Sequence, residues 1–164
     1  MSGGGSAIRE AAPVSSAQDL LKLVAQAHWA NVKWVDFVYA HPTLDARSRE
    51  LLAHILVGER IWFDRIAGRQ VTTTASPELS RDDLLRGFAE HAVTYRELIA
   101  SRLPQVIHFR RASGEEYHAT VADILYHLVT HGYHHRGQLA ALCARAGVPY
   151  PIVDHIDYLI QNRL

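Results

Sequence analysis

The stretch from Thr120 to Arg145, TVADILYHLVTHGYHHRGQLAALCAR, sets the terms for the rest of the chain. Its apolar residues recur at helical spacing, and it reads as one amphipathic helix of about seven turns. A helix turns about 100° per residue, so positions four apart lie about 40° from each other on one face. His127, His131 and His135 therefore climb one side, close to the line of Ile124, Leu128, Leu139 and Leu142. The stripe that should face a core has imidazoles set into it, where a polar group without a partner is costly. His131 and His135 form HxxxH, a spacing that lets two rings reach one metal ion from successive turns.

Three further segments carry the same period. Residues 16–40 form a first helix with a stripe of Leu20, Leu23, Val24, Ala27, Val35 and Val38, and with Ser16 and Asp19 at its start. A second helix spans about 45–67, and its apolar line is Leu51, Ile55, Gly58, Ile61 and Trp62. His54 lies on that line and is the third candidate metal ligand. Glu59 and Arg60 follow one turn on and read as a solvated or ion-paired face. A third helix spans about 81–103, opened by a Ser80/Asp83 capping pair and closed by Pro104. His91 lies one position off its stripe.

The segments between are short or turn-like. GRQVTTTASP at 68–77 is a polar loop, and VIHFRR and EEYHAT flank a Gly-containing turn as a small β-hairpin with His108 and His118 on its polar side. Thr120 with Asp123 caps the His-bearing helix, Gly147 and Pro149 stop it, and a last helix covers about 152–161. His41, before Pro42, is expected on the surface; His28 is expected either on the surface or near the interior. The expected fold is all-α: an up-down-type four-helix bundle with a short β-hairpin insert and a short C-terminal helix. Residues 1–14 read as a flexible leader and 15–164 as one bundle domain.

Composition narrows the function. Lys plus Arg and Asp plus Glu are both 17, so nothing marks a nucleic-acid or anionic-membrane surface. No apolar run reaches the length of a membrane span, the N-terminus lacks a signal-peptide pattern, and a single cysteine, Cys143, rules out an internal disulfide. A cytoplasmic enzyme or binding protein fits these features. There is no GxSxG, no CxxC and no phosphate-binding Gly-rich loop, and Cys143 reads as a buried inert thiol. Three imidazoles from facing helices would give a metal three protein ligands and leave one position open for water or a thiol. Imidazole suits zinc, nickel, copper and iron(II) alike. His127 stands between three roles: a further ligand, a partner of a ligand, or a core histidine bonded to backbone.

The run HLVTHGYHHRGQLAALCARAGVP at 127–149 contains H-x-x-x-H-R-G-Q, and LLAHILVGERIWFDRI at 51–66 places a His before Glu-Arg and Trp. Together with the Gly-containing insert, these resemble the DinB/YfiT-like superfamily of metal-binding bundles, over nearly the whole chain from about residue 15. The resemblance implies a four-helix bundle, often a homodimer, with a three-His site carrying zinc or nickel. By residue match the ligands are His54, His131 and His135, with His127, Arg136, Gln138 and Glu59 in supporting positions. Arg136 is expected to pair with a carboxylate and Gly137 to allow close helix packing. Some members of the superfamily are S-transferases using a low-molecular-weight thiol, so a metal-dependent thiol S-transferase acting on a small molecule is the leading expectation. The alternatives are a metal-dependent hydrolase and a non-enzymatic, stress-related metal-binding bundle.

Overall fold

The computed structural model describes residues 16–72, 77–110 and 113–162. The leader expected at 1–14 lies outside them. The elements are α1 (Ser16–Ala40), α2 (Ala46–Ile66), α3 (Arg81–Ser101), β1 (Val106–Arg110), β2 (Glu116–Thr120), α4 (Val121–Arg145) and α5 (His155–Asn162). The all-α bundle with a hairpin insert and a short last helix is the observed architecture. Helix starts follow local chemistry. Ser80 and Thr120 each accept from the backbone N–H three residues on, and Asp83 and Asp123 reach back to complete capping boxes. Asp45 caps α2 by accepting from the Arg47 N–H. The last helix begins three residues later than expected, because Pro151 and the extended segment after it leave 152–154 outside it.

The direction of each helix is fixed by contacts at its ends. Arg81, opening α3, donates through Nη2 to Asp36 near the end of α1 at 2.7 Å. Arg102, just past α3, donates to the carbonyl of Ile66 at the end of α2, at 2.9 Å. α1 and α3 are therefore antiparallel, while α2 and α3 run the same way. The start of α4 is bonded to the end of α3 through the Val121 N–H and the Gln105 carbonyl. The order is thus up, down, down, up, and α3 starts at the end of the bundle opposite to the one where α2 finishes. α3 and α4 each pack against both α1 and α2, which leaves α1 facing α2 across the diagonal.

The core divides into two apolar clusters along the bundle axis. At the hairpin end, Leu20, Val24, Phe63, Ile66, Ile99, Ile107, Leu125 and Leu128 pack together. At the other end the cluster is Trp34, Val38, Leu52, Ile55, Leu84, Phe88, Leu139 and Cys143. Burying a side chain of this size contributes about 1.5–3 kcal/mol, so these clusters hold the bundle closed. Cys143 is a free thiol within the second cluster, and burial pushes its pKa up, in keeping with an inert role. Between the clusters the core turns polar: Asn31, Glu59, His91 and Arg136 are all buried at this waist. The candidate ligands lie at the same level.

Candidate metal centre

His54 comes from α2, and His131 and His135 come from α4, which packs against α2. One nitrogen from each of these three rings lies within 4.8 Å of the other two. His131 Nε2 and His135 Nε2 are 3.0 Å apart. The His54 ring centroid lies 5.2 Å from that of His131 and 4.5 Å from that of His135. A tetrahedral ion with N-ligands at about 2.0–2.1 Å holds those nitrogens roughly 3.3 Å apart, so the observed spacing is close to what such an ion needs.

The protonation states favour lone pairs over charge. His131 is held down to about 4, first by burial and then by the neighbouring imidazoles, chiefly His135 and His54. His54 is also lowered, by burial and then by His135 and Arg47. The tautomer of His135 is set by Gln138. His135 Nδ1 donates to Gln138 Oε1 at 2.8 Å, which leaves Nε2 as the free acceptor turned toward His131. The same amide donates to His134 Nε2 at 3.2 Å, so His134 is drawn to Gln138 and stays out of the cluster. Gln138→Ala is expected to weaken metal binding roughly 10–100-fold, the usual cost of losing a group that orients a ligand. Isothermal titration with zinc against a competing chelator reads that change.

Gly58 makes room for this arrangement. A Cβ there would sit 3.1 Å from His131 Cε1, so a larger residue would push the ring out of line. His131 Nδ1 is buried without a hydrogen-bond partner among the described residues. A nitrogen pair 3.0 Å apart and a cradle shaped for the ring are features that a cation at the centre would explain. The lowered His131 also has a consequence for the metal-free protein. The unfolded ring takes up its proton near pH 6.5 and the folded one only near 4, so stability is fully present above 6.5 and is lost as pH falls toward 4. Because the ring is partly open to solvent, the expected loss is about 1–2 kcal/mol, below the full linkage value. Urea melts of the metal-free protein at pH 7 and pH 4.5 measure it, and His131→Ala should flatten the difference.

The remaining expected residues are placed as follows. His127 stands beside the cluster, its centroid 5.8 Å from His131 and 5.6 Å from Trp62, and it is not one of the three convergent rings. Glu59 is not on a solvated face: it is buried, receives a hydrogen bond from Tyr95 Oη at 3.2 Å and is bonded to His91 Nδ1 at 2.7 Å. Arg136 pairs with no carboxylate among the described residues. Its Nη1 donates to Asn31 Oδ1 at 2.7 Å, and burial lowers it to about 10. Gly137 faces open space, and the glycine that admits close packing of a neighbouring helix is Gly87 in α3, where a Cβ would meet Leu56 Cδ2 of α2 at 2.7 Å. His41 is partly covered and donates to the Phe37 carbonyl at 2.7 Å. His28 is half-buried, and burial lowers its pKa. Sequence reasoning missed His91, Tyr95 and Asn31 as waist residues. Their signal was polar side chains on or beside apolar stripes.

A cavity of about 500 Å³ opens beside His54, walled by Arg47, Arg49, Glu50, Glu78 and Leu79. Of the three rings, His54 is the one that lines it. The model of the DinB family matches residues 46–163, the segment that carries all three histidines. The chain belongs to the DinB family. The match begins at α2, so α1 lies outside it although it closes the bundle. Among curated proteins no match to the chain is found. Membership of the DinB family agrees with a bundle that brings a three-His group together. No helix of the described residues is long and apolar enough to cross a membrane.

Proposed function

We propose that this DinB protein binds a divalent ion, zinc or nickel, through His54, His131 and His135, and that it is a thiol S-transferase acting on a small molecule. The observation that carries this reading is the convergence of three imidazole nitrogens within 4.8 Å beside an open cavity. A bound ion would supply Lewis-acid chemistry, lowering the pKa of a thiol or water next to it. The residues of the chain do the rest. Burial keeps the His131 ring neutral, Gln138 turns the His135 lone pair toward the centre, and Gly58 leaves space for the His131 ring. Arg47 and Arg49, with Glu50 and Glu78, give the cavity a charged wall against which polar substituents of a thiol or electrophile would be oriented. A homodimer and a cytoplasmic location complete the proposal. Ile152, Ile156 and Ile160 are exposed apolar residues that a second copy would cover, and a lone free cysteine suits a reducing compartment.

The test uses untagged protein. Emission spectrometry should find close to one equivalent of metal. The loaded protein should consume 1-chloro-2,4-dinitrobenzene only when a thiol such as 2-mercaptoethanol or glutathione is present, and His131→Ala should abolish that rate. Consumption without thiol would point to hydrolysis instead. Full metal occupancy with no turnover of either kind would leave a metal-binding bundle.

A further inference from the structure

A second cleft lies along the same pair of helices, toward the hairpin. Its volume is about 270 Å³, and Trp62 and Arg65 of α2, Phe109 of β1, and Asp123, Ile124 and His127 of α4 line it. A cavity of about 150 Å³ takes benzene, so this one has room for a ring with a substituent. The His127 ring stands 5.8 Å from that of His131, which puts the cleft one side chain from the histidine centre.

The walls are aromatic. The Trp62 and Phe109 rings meet edge to face with centroids 5.0 Å apart, and His127 meets Trp62 in the same manner at 5.6 Å. Phe109 shares a face of β1 with Ile107, which is buried in the core cluster at this end, so the hairpin brings Phe109 to the bundle. Trp62 and Phe109 are only partly covered, and each offers ring surface to the cleft.

Arg65 supplies the polar element. Its guanidinium carbon lies 4.6 Å from the centre of the Trp62 ring and 5.7 Å from that of Phe109, so the two aromatic walls hold the cation in place. Its nitrogens are open to solvent and make neither a hydrogen bond nor an ion pair among the described residues. Burial lowers its pKa, with no carboxylate close enough to raise it back. The Asp123 carboxylate in the same wall accepts from the N–H and the hydroxyl of Thr120 and forms no ion pair with Arg65. An accessible, unpaired guanidinium beside aromatic surface suits a flat apolar body that carries an anionic acceptor. A carboxylate matches the planar donors through two parallel bonds.

We propose that this cleft is a binding site for a small aromatic carboxylate, with its ring against Trp62 and Phe109 and its carboxylate on Arg65. Binding there does not depend on the reaction proposed at the histidine centre.

The experiment titrates the full chain, stripped of metal so that a carboxylate has no ion to ligate, with benzoate, its neutral analogue benzamide and its saturated analogue cyclohexanecarboxylate. The indole N–H proton signal of Trp62, identified by its loss in Trp62→Phe, reports binding at this cleft. Benzoate should shift that signal with a Kd of about 1 mM or below, at least about threefold tighter than benzamide. Cyclohexanecarboxylate should bind about 2–10-fold more weakly than benzoate, the range of one aromatic contact. Arg65→Met keeps an unbranched stem and a good helix former, loses no hydrogen bond, and should bring benzoate down to the level of benzamide without lowering Tm. Phe109→Leu should weaken benzoate and leave cyclohexanecarboxylate nearly unchanged. The proposal is overturned by equal affinity for benzoate and either analogue, by a preference over benzamide that survives Arg65→Met, or by no shift of the Trp62 signal up to about 20 mM benzoate.

Discussion

Replacing His131 with alanine is expected to reduce zinc or nickel affinity by at least about 1,000-fold, beyond the 10–100-fold typical for loss of a group that only orients a ligand. His131 is the more deeply set ligand of α4, with Nε2 3.0 Å from His135 Nε2 and its ring packed against the site of Gly58. Without it, His54 and His135 are left as two ligands on separate helices. His54→Ala and His135→Ala should behave similarly, while His127→Ala should change affinity only a few-fold because His127 stands outside the convergent group. Competition titrations against a chelator of known affinity measure all four. The ion should also report on folding. At 100 times Kd it would add about 2.7 kcal/mol to native stability, a rise of roughly 5–10 °C in Tm for a chain of this size. Stoichiometric metal at unchanged affinity in His131→Ala would overturn the assignment of the centre.

The second large effect concerns stability rather than binding. Glu59→Ala is expected to destabilise the fold by about 3–5 kcal/mol, since it leaves two buried hydrogen-bonding groups unpaired at about 1–3 kcal/mol each. The substitution strips His91 Nδ1 and the Tyr95 hydroxyl of their acceptor in a region where water cannot easily replace it. It also removes the negative charge that supports the buried Arg136 guanidinium from a distance. Glu59→Gln keeps an acceptor oxygen and should lose less, about 1–3 kcal/mol. Urea denaturation of metal-free protein separates the two variants, and a loss under about 1 kcal/mol for Glu59→Ala would show that the waist is not held through this carboxylate.

The helices were legible because each buries a continuous stripe, and the stripes at 16–40, 45–67, 81–103 and 120–145 match α1 to α4 within a few residues. The two capping boxes were legible as Ser80 with Asp83 and Thr120 with Asp123, since those contacts are local. The three histidines were read as ligand candidates because imidazoles on an apolar face need a reason to be there. Glu59 was misread because a charged residue followed by Arg60 looks like a solvated edge. Only the parallel pairing of α2 with α3 brings His91 and Tyr95 to its carboxylate. Arg136 was misread for a similar reason, since its partner Asn31 comes from α1, about a hundred residues away. Spacing within one helix says which face a residue occupies; it does not say which level of another helix it will meet.

The parallel run of α2 and α3 bears on the order in which the molecule assembles. Because α3 and the hairpin lie between them in the chain, α2 and α4 become neighbours only after both have been traversed. His54 and His131 are about eighty residues apart along the chain, so the ion's coordination sphere closes late, by a contact of long sequence separation. A cation added to unfolded protein should therefore leave the refolding rate nearly unchanged and act by retarding escape from the native state, as expected for interactions absent from the transition state.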